Sequence, residues 1–103
     1  MNGYKVVYLP TALRQMEDAV AYIAADLNAP EAALALANEM DEAVQKLKEM
    51  PHRFPIYPAM YAMKQEIRYF PVKNYLVFYV VREEGRTVEI WRVLHRLQRR
   101  ERG

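Results

Sequence analysis

The apolar positions of this chain change period along its length. Leu13, Met16, Val20, Ile23 and Leu27 recur at steps of three and four, the stripe of an amphipathic helix. Ala33, Leu36, Met40, Ala43, Leu47 and Met50 continue in the same way, with the alternating steps of a coiled-coil-like seam. Residues 11 to 28 and 30 to 50 are therefore predicted to form two helices packed as an antiparallel hairpin. From residue 66 the period drops to two. Three runs rich in Val, Ile, Tyr, Phe and Trp, at 66 to 72, 75 to 83 and 87 to 94, read as strands of an antiparallel sheet. A shorter run of the same kind, Tyr4 to Leu9, is closed by Pro10 and predicts a first strand.

The breaks between these runs have their own chemistry. Thr11 can cap the first helix through its hydroxyl. Asn28 tolerates the left-handed conformation at a helix end, and Pro30 suits the first turn of the next helix. Glu84-Gly85-Arg86 is a Gly-containing break of the kind that closes a hairpin. Pro51, Pro55 and Pro58 interrupt a segment expected to be irregular and packed by Phe54, Ile56 and Tyr57.

Within the sheet, Tyr75, Val77, Tyr79 and Val81 share one face of their strand and Leu76, Phe78 and Val80 the other. Both faces are apolar, which predicts a central strand covered on each side. In the last run Val88 and Ile90 share a face with Arg92, while Glu89 shares one with Trp91, Val93 and His95. Strict alternation would put a charge on a face that begins apolar. Either a bulge resets the register or the strand emerges from cover near Arg92. A sheet end that turns polar there is a candidate site.

With 103 residues, the length suits one compact domain, 1–103. The chain has no cysteine, so disulfides and thiolate metal sites are excluded and a reducing cytoplasm is the expected location. No apolar run is long enough to cross a bilayer, and no membrane partner is expected. His52 has no second His or Cys at metal spacing and reads as a surface residue; no metal and no cofactor are expected. The net charge of +2 hides an asymmetry. Arg92, Arg96, Arg99, Arg100 and Arg102 crowd the C-terminus, while acidic residues are spread through the first half. That split fits either a solvated basic tail or a polyanionic or acidic partner at one end of the molecule.

In order and spacing, several pieces of the chain resemble the RelE/ParE superfamily of toxins of type II toxin–antitoxin (plasmid stabilisation) modules. They are the first strand ending in Pro10, the helix with Tyr22-Ile23, Leu47-Lys48-Glu49-Met50-Pro51, the Arg68 strand, Asn74-Tyr75-Leu76-Val77-Phe78-Tyr79, and Val93-Leu94-His95. The resemblance covers nearly the whole chain. It implies an α+β domain of order β-α-α-β-β-β, with the helical hairpin on one face of an antiparallel sheet. It also implies a cognate antitoxin as partner. The superfamily contains ParE-like inhibitors of DNA gyrase and RelE-like, metal-free ribonucleases that cut messenger RNA on the ribosome.

Metal-free RNA cleavage needs an activated 2′-hydroxyl, a stabilised phosphate charge and a protonated leaving oxygen. Arg68, His95 and Arg96 are the catalytic candidates under that reading, and Lys73, Arg92, Arg96, Arg99 and Arg100 the candidates for binding. The structural alternatives are an Arg68 paired with Glu66 or Glu89, and a His95 bonded to backbone at the sheet end. Two departures from the nuclease pattern favour the ParE-like side. Leu76 stands where the nucleases typically carry an arginine, and no tyrosine occurs after Tyr79. The expected function is a ParE-like gyrase inhibitor neutralised by an antitoxin. The alternatives are a RelE-like ribonuclease and an antitoxin-binding relic without toxicity.

Overall fold

A computed structural model describes residues 3–58 and 65–97. Strand β1 (Lys5–Tyr8) leads into helix α1 (Pro10–Ala21), a π-helical turn (Tyr22–Asp26) and helix α2 (Pro30–Lys46), followed by strands β2 (Ile67–Val72), β3 (Tyr75–Arg82) and β4 (Thr87–His95). The β-α-α-β-β-β order is as expected. The sheet runs β1-β4-β3-β2, and it is mixed rather than wholly antiparallel. β2, β3 and β4 alternate in direction, but β1 lies parallel to β4. Hairpin loops force the last three strands to alternate. The helical hairpin between β1 and β2 imposes no such rule, because a long connection can return the chain in either direction.

The helices cover one face of the sheet. Their core contains Ala12, Ala19, Leu36, Met40, Val44 and Leu47, packed on Phe70, Val72, Tyr75, Val77, Tyr79, Val88, Ile90 and Val93. On α1 and the turn after it, Met16, Val20 and Ile23 pack against the core as expected, Ala12 and Ala19 are its most buried members, and Leu13 is 40% exposed. The small residues sit where the helix approaches the sheet, and Leu13, about 100° further round the helix, faces outward. Thr11 does not cap this helix. Leu9 holds the N-cap position without a side-chain bond, and Pro10 opens the first turn. Leu27 also leaves the stripe, at 55% exposed, because the π-turn carries an extra residue. Its backbone closes with Leu27 N–H donating to Tyr22 C=O at 3.1 Å, an i to i+5 bond that shifts all later side chains round the axis. Asn28 then takes the left-handed conformation (φ 52°). Helix α2 ends at Lys46, so Met50 falls beyond it and is exposed.

The opposite face holds a second core of Ile67, Leu76, Phe78 and Val80, with Tyr57, Tyr69, Trp91 and Leu94 packed around it. Strand β3 is thus buried on both sides, as its unbroken apolar run requires. The proline-rich segment supplies part of the cover. It does so through Tyr57, which meets Phe78 edge-on at 5.2 Å, while Phe54 stacks on Phe70 of the helix-side core at 4.6 Å. Backbone bonds from Tyr57 N–H to Ile67 C=O (2.7 Å) and from Tyr69 N–H to Pro55 C=O (3.1 Å) close half of the β2 edge. Pro71 sits in the other half, where an edge strand tolerates the missing donor.

Strand β4 resolves its own register conflict with a bulge. Tyr79 pairs with Ile90, but Phe78 pairs with Arg92, so Trp91 is the extra residue. Trp91 and Arg92 both oppose Phe78. Val88, Ile90 and Val93 consequently all reach the helix-side core, and Leu94 joins the opposite one. Trp91 Nε1 donates to Glu89 at 3.0 Å, and Arg82 Nε bonds the same carboxylate at 3.2 Å. Beyond the end of β1, Val93 N–H is taken up by the Gln15 side chain at 2.8 Å.

Deleting Arg92 removes one bulge residue and leaves the rest of the ladder facing the same way. The variant is expected to fold with a modest loss of stability. Deleting Glu89, in the regular part of the ladder, must turn Val88 or Ile90 out of the core, at about 1.5–3 kcal/mol for each buried side chain. Urea unfolding followed by circular dichroism separates the two. A second expectation concerns the buried Tyr79 hydroxyl, which donates to Pro51 C=O at 2.7 Å. Burial pushes this phenol up to about 12, against a smaller opposing effect of Arg68. The unfolded chain therefore loses this proton first as pH rises, and the stability contributed is full below about pH 10 and lost between about pH 10 and about pH 12. Tyr8, also pushed to about 12 by burial and then by Asp41, acts in the same direction. Tyr79→Phe should flatten part of this alkaline slope while costing about 1 kcal/mol at neutral pH.

Candidate functional site

Polar side chains and open apolar surface meet at the C-terminal end of β4. His95 pairs with Tyr75 in the β3–β4 ladder, and the two rings meet edge to face at 5.1 Å. Its Nδ1 accepts the Leu97 backbone N–H at 3.0 Å, so the neutral ring carries its proton on Nε2. The backbone role expected for His95 is thus present. Arg96 N–H donates to Asn74 C=O at 2.9 Å, tying the strand end to the β2–β3 turn. In that turn Lys73 adopts a left-handed φ of 53° and forms an ion pair with Glu39 of α2 at 3.2 Å.

Two adjoining grooves open around this strand end. One, of about 460 Å³, lies between Gln15, Asp18 and Tyr22 on the helix side and Tyr75, Val93, His95 and Leu97 on the sheet side. The other, of about 320 Å³, lies between the π-turn, the start of α2 and the Lys73-Asn74 turn. Tyr22, Tyr75 and His95 line both. Burial, and then the neighbouring Tyr22, raises the Tyr75 phenol above its ordinary value. Tyr22, Leu27 and Leu97 are each at least half exposed along the rims. Exposed large apolar side chains gathered beside a concave surface mark an interaction site more often than scattered ones do.

Arg68 lies elsewhere. It pairs with Tyr79 on β3, whereas His95 pairs with Tyr75. Four residues along one strand and two strands across put their backbones roughly 16 Å apart. The Arg68 guanidinium is mostly covered and donates to Phe54 C=O at 2.7 Å and His52 C=O at 3.4 Å. Of the two carboxylates considered for it, Glu66 is the partner, at 3.6 Å; Glu89 is engaged by Arg82 and Trp91. Arg68 therefore fastens the proline-rich segment to β2. His52 is exposed, as expected, and pairs with Glu83 at 2.8 Å.

Leu76 is 5% exposed in the core on the face away from the helical hairpin, opposite Leu94. Arg92 is exposed on that same face and donates to the Trp91 carbonyl at 2.8 Å. Arg96 is exposed at the strand end and lines neither groove. Arg99 and Arg100 lie outside the described residues. The structure thus brings together His95, Arg96 and Lys73 and sets Arg68 and Arg92 apart from them. Gln15, Asp18 and the groove-lining role of Tyr22 were not legible as site features. Their only sequence signal is that they flank Ala19 within one helical turn of a buried stripe.

A scan against protein families matches residues 6–100 to the ParE toxin of the type II toxin–antitoxin system parDE. Among solved structures, the chain is similar to a chain of the chromosomal ParDE toxin–antitoxin system from P. aeruginosa, at a TM-score of 0.71 and 15% identity, covering 92% of this chain and 98% of that one. It is also similar to a chain of the RelBE2 toxin–antitoxin complex from Mycobacterium tuberculosis, at a TM-score of 0.58 and 25% identity, covering 91% and 99%. A search of curated protein sequences gave no match. With the family profile spanning nearly all of a mixed sheet that carries a helical hairpin on one face, the chain belongs to the ParE toxins of type II toxin–antitoxin systems.

Proposed function

We propose that this toxin acts by binding and inhibiting DNA gyrase and that a cognate antitoxin protein neutralises it. The observation that carries the choice over RNA cleavage is the separation of its candidate catalytic groups. A phosphate undergoing cleavage must be contacted at once by its charge-stabilising and proton-transferring groups, all within hydrogen-bond reach. The Arg68 and His95 backbones are roughly 16 Å apart by strand spacing, and the Arg68 guanidinium is turned to the Phe54 and His52 carbonyls. The position of the nucleases' arginine is the buried Leu76. Loss of one such donor commonly costs on the order of 100- to 1,000-fold in rate.

The second reading, a RelE-like ribosome-dependent ribonuclease, is favoured by one observation, the similarity to the RelBE2 complex at 25% identity. Under it His95, whose Nε2 carries the neutral ring's proton, and Arg96 would have to work without Arg68.

Purified protein added to gyrase, relaxed plasmid and ATP is expected to block supercoiling, and programmed ribosomes to show little A-site cleavage. Robust cleavage that disappears in His95→Gln would reverse the assignment. Arg68→Gln supplies an independent check. It should destabilise the protein by about 1–3 kcal/mol, since two carbonyls lose a charged donor, and should speed hydrogen exchange at Tyr57 and Tyr69. The remaining folded fraction should inhibit gyrase undiminished. Normal stability with abolished activity would show that Arg68 contacts the target directly.

A further inference from the structure

We infer that the groove between α1 and the end of β4 is a receptor for one arginine side chain of the protein this toxin inhibits. Asp18 pairs with the guanidinium, and the rings of Tyr22, Tyr75 and His95 stack around it. The inference rests on the reading of this chain as an inhibitor that acts by binding a protein, and it names the side-chain chemistry of that contact.

The charge of the groove selects a cation. Asp18 is the only Asp, Glu, Lys or Arg among the residues that line it. His95 accepts the Leu97 N–H through Nδ1, a role only the neutral ring can fill. Among the described residues Asp18 has no hydrogen-bond or ion-pair partner, and Arg14, one turn earlier on α1, does not close on it. The carboxylate therefore repels an acidic group and attracts a basic one. Asp18 and Tyr22 are one helical turn apart on the same side of α1, so both reach the same ligand. Both are exposed, which leaves the entrance open.

The walls select arginine among cations. Tyr22 stands on the helix side, and Tyr75 and His95 on the sheet side. Tyr75 and His95 meet edge to face at 5.1 Å, and Tyr22 is near enough to act on the Tyr75 phenol. Aromatic faces attract cations. A guanidinium is planar, so it stacks on a ring while its edge forms paired bonds to a carboxylate. An ammonium is a strongly hydrated point charge that does neither as well. Ala19 and Val93, almost wholly buried, back the groove with apolar surface that suits the methylene stem of an arginine. Gln15 is fixed by the Val93 N–H at 2.8 Å, and the second lone pair of its side-chain oxygen is available to a guanidinium N–H.

The test titrates the isotope-labelled full chain with three probes, the N-acetyl amides of arginine, lysine and citrulline. Citrulline matches arginine in shape but carries no charge. The amide resonances of Ala19, Tyr22 and Val93 should move with the arginine probe, less with lysine and not with citrulline. Asp18→Asn should weaken the arginine probe about tenfold, as loss of a charged hydrogen-bond partner does. Tyr22→Ala should weaken it about threefold, the scale of an exposed cation–π contact, and Tyr22→Phe should bind as wild type does. In the supercoiling assay Asp18→Arg should lose inhibition of gyrase while its spectrum keeps the dispersion of a folded chain. Equal response to arginine and citrulline, shifts confined to residues away from the groove, or full inhibition by Asp18→Arg would overturn the proposal. So would tighter probe binding when Arg99→Gln, Arg100→Gln and Arg102→Gln are combined, because the chain's own tail would then be the occupant. Absence of gyrase inhibition by wild type refutes the assignment of the target and leaves the probe titration to decide the groove, so the two failures are distinct.

Discussion

One extra residue turns β4 over, and much of the molecule depends on it. Without the bulge at Trp91, the alternation that buries Val88 and Ile90 would bury Arg92 as well and turn Val93 and His95 away from the helices. With it, Val93 completes the helix-side core, and His95 faces Tyr75 and the groove. The bulge also works where β1 has run out. The Gln15 side chain takes the Val93 N–H that a longer first strand would have bonded, so α1 is anchored to the strand end it overhangs. Fold and site therefore share one constraint.

The two sheet faces are stabilised in different ways. The helix face is filled by Leu36, Met40, Val44 and Leu47 against strand side chains that are almost wholly buried. The other face has no helix among the described residues and is built largely of rings. Tyr57, Tyr69 and Phe78 lie within 5.1–6.2 Å of one another, and Trp91 adds a fourth ring whose N–H is satisfied by Glu89. Aromatic clusters bury large area with few rotatable bonds. Arg68 belongs to this stabilising role. It holds the segment that carries Phe54 and Tyr57, and thereby couples the aromatic cover to the edge strand.

The resulting molecule separates its chemistry by end. Lys73, His95 and Arg96 gather where β4 meets the β2–β3 turn. Tyr4, His52 and Glu83 are linked at the other end of the sheet, through Tyr4 to Glu83 at 2.8 Å and His52 to Glu83 at 2.8 Å. The second group ties the N-terminal strand, the proline-rich segment and the β3–β4 hairpin together. The first leaves apolar surface open beside cations. A protein that acts by binding needs such an end, and a rigid sheet behind it keeps the surface from collapsing on itself.

The periodicity of the chain determined the elements, their order and the double burial of β3, because side-chain spacing follows directly from helix and strand geometry. It also exposed the conflict at Arg92 and named the bulge as one of its two solutions. What it could not determine depends on contacts between distant residues. The parallel placement of β1 is a matter of how a long connection closes. The buried face of α1 was set by where Ala12 and Ala19 touch the sheet, and the π-turn by a backbone bond that no residue type dictates. The separation of Arg68 from His95 follows from strand order, which local pattern does not encode. The groove is likewise a tertiary product: Gln15, Tyr22, Lys73, Tyr75 and His95 come from α1, the π-turn, the β2–β3 turn, β3 and β4 and have nothing in common along the chain. They become neighbours only because one bulge aims the end of β4 under the helical hairpin.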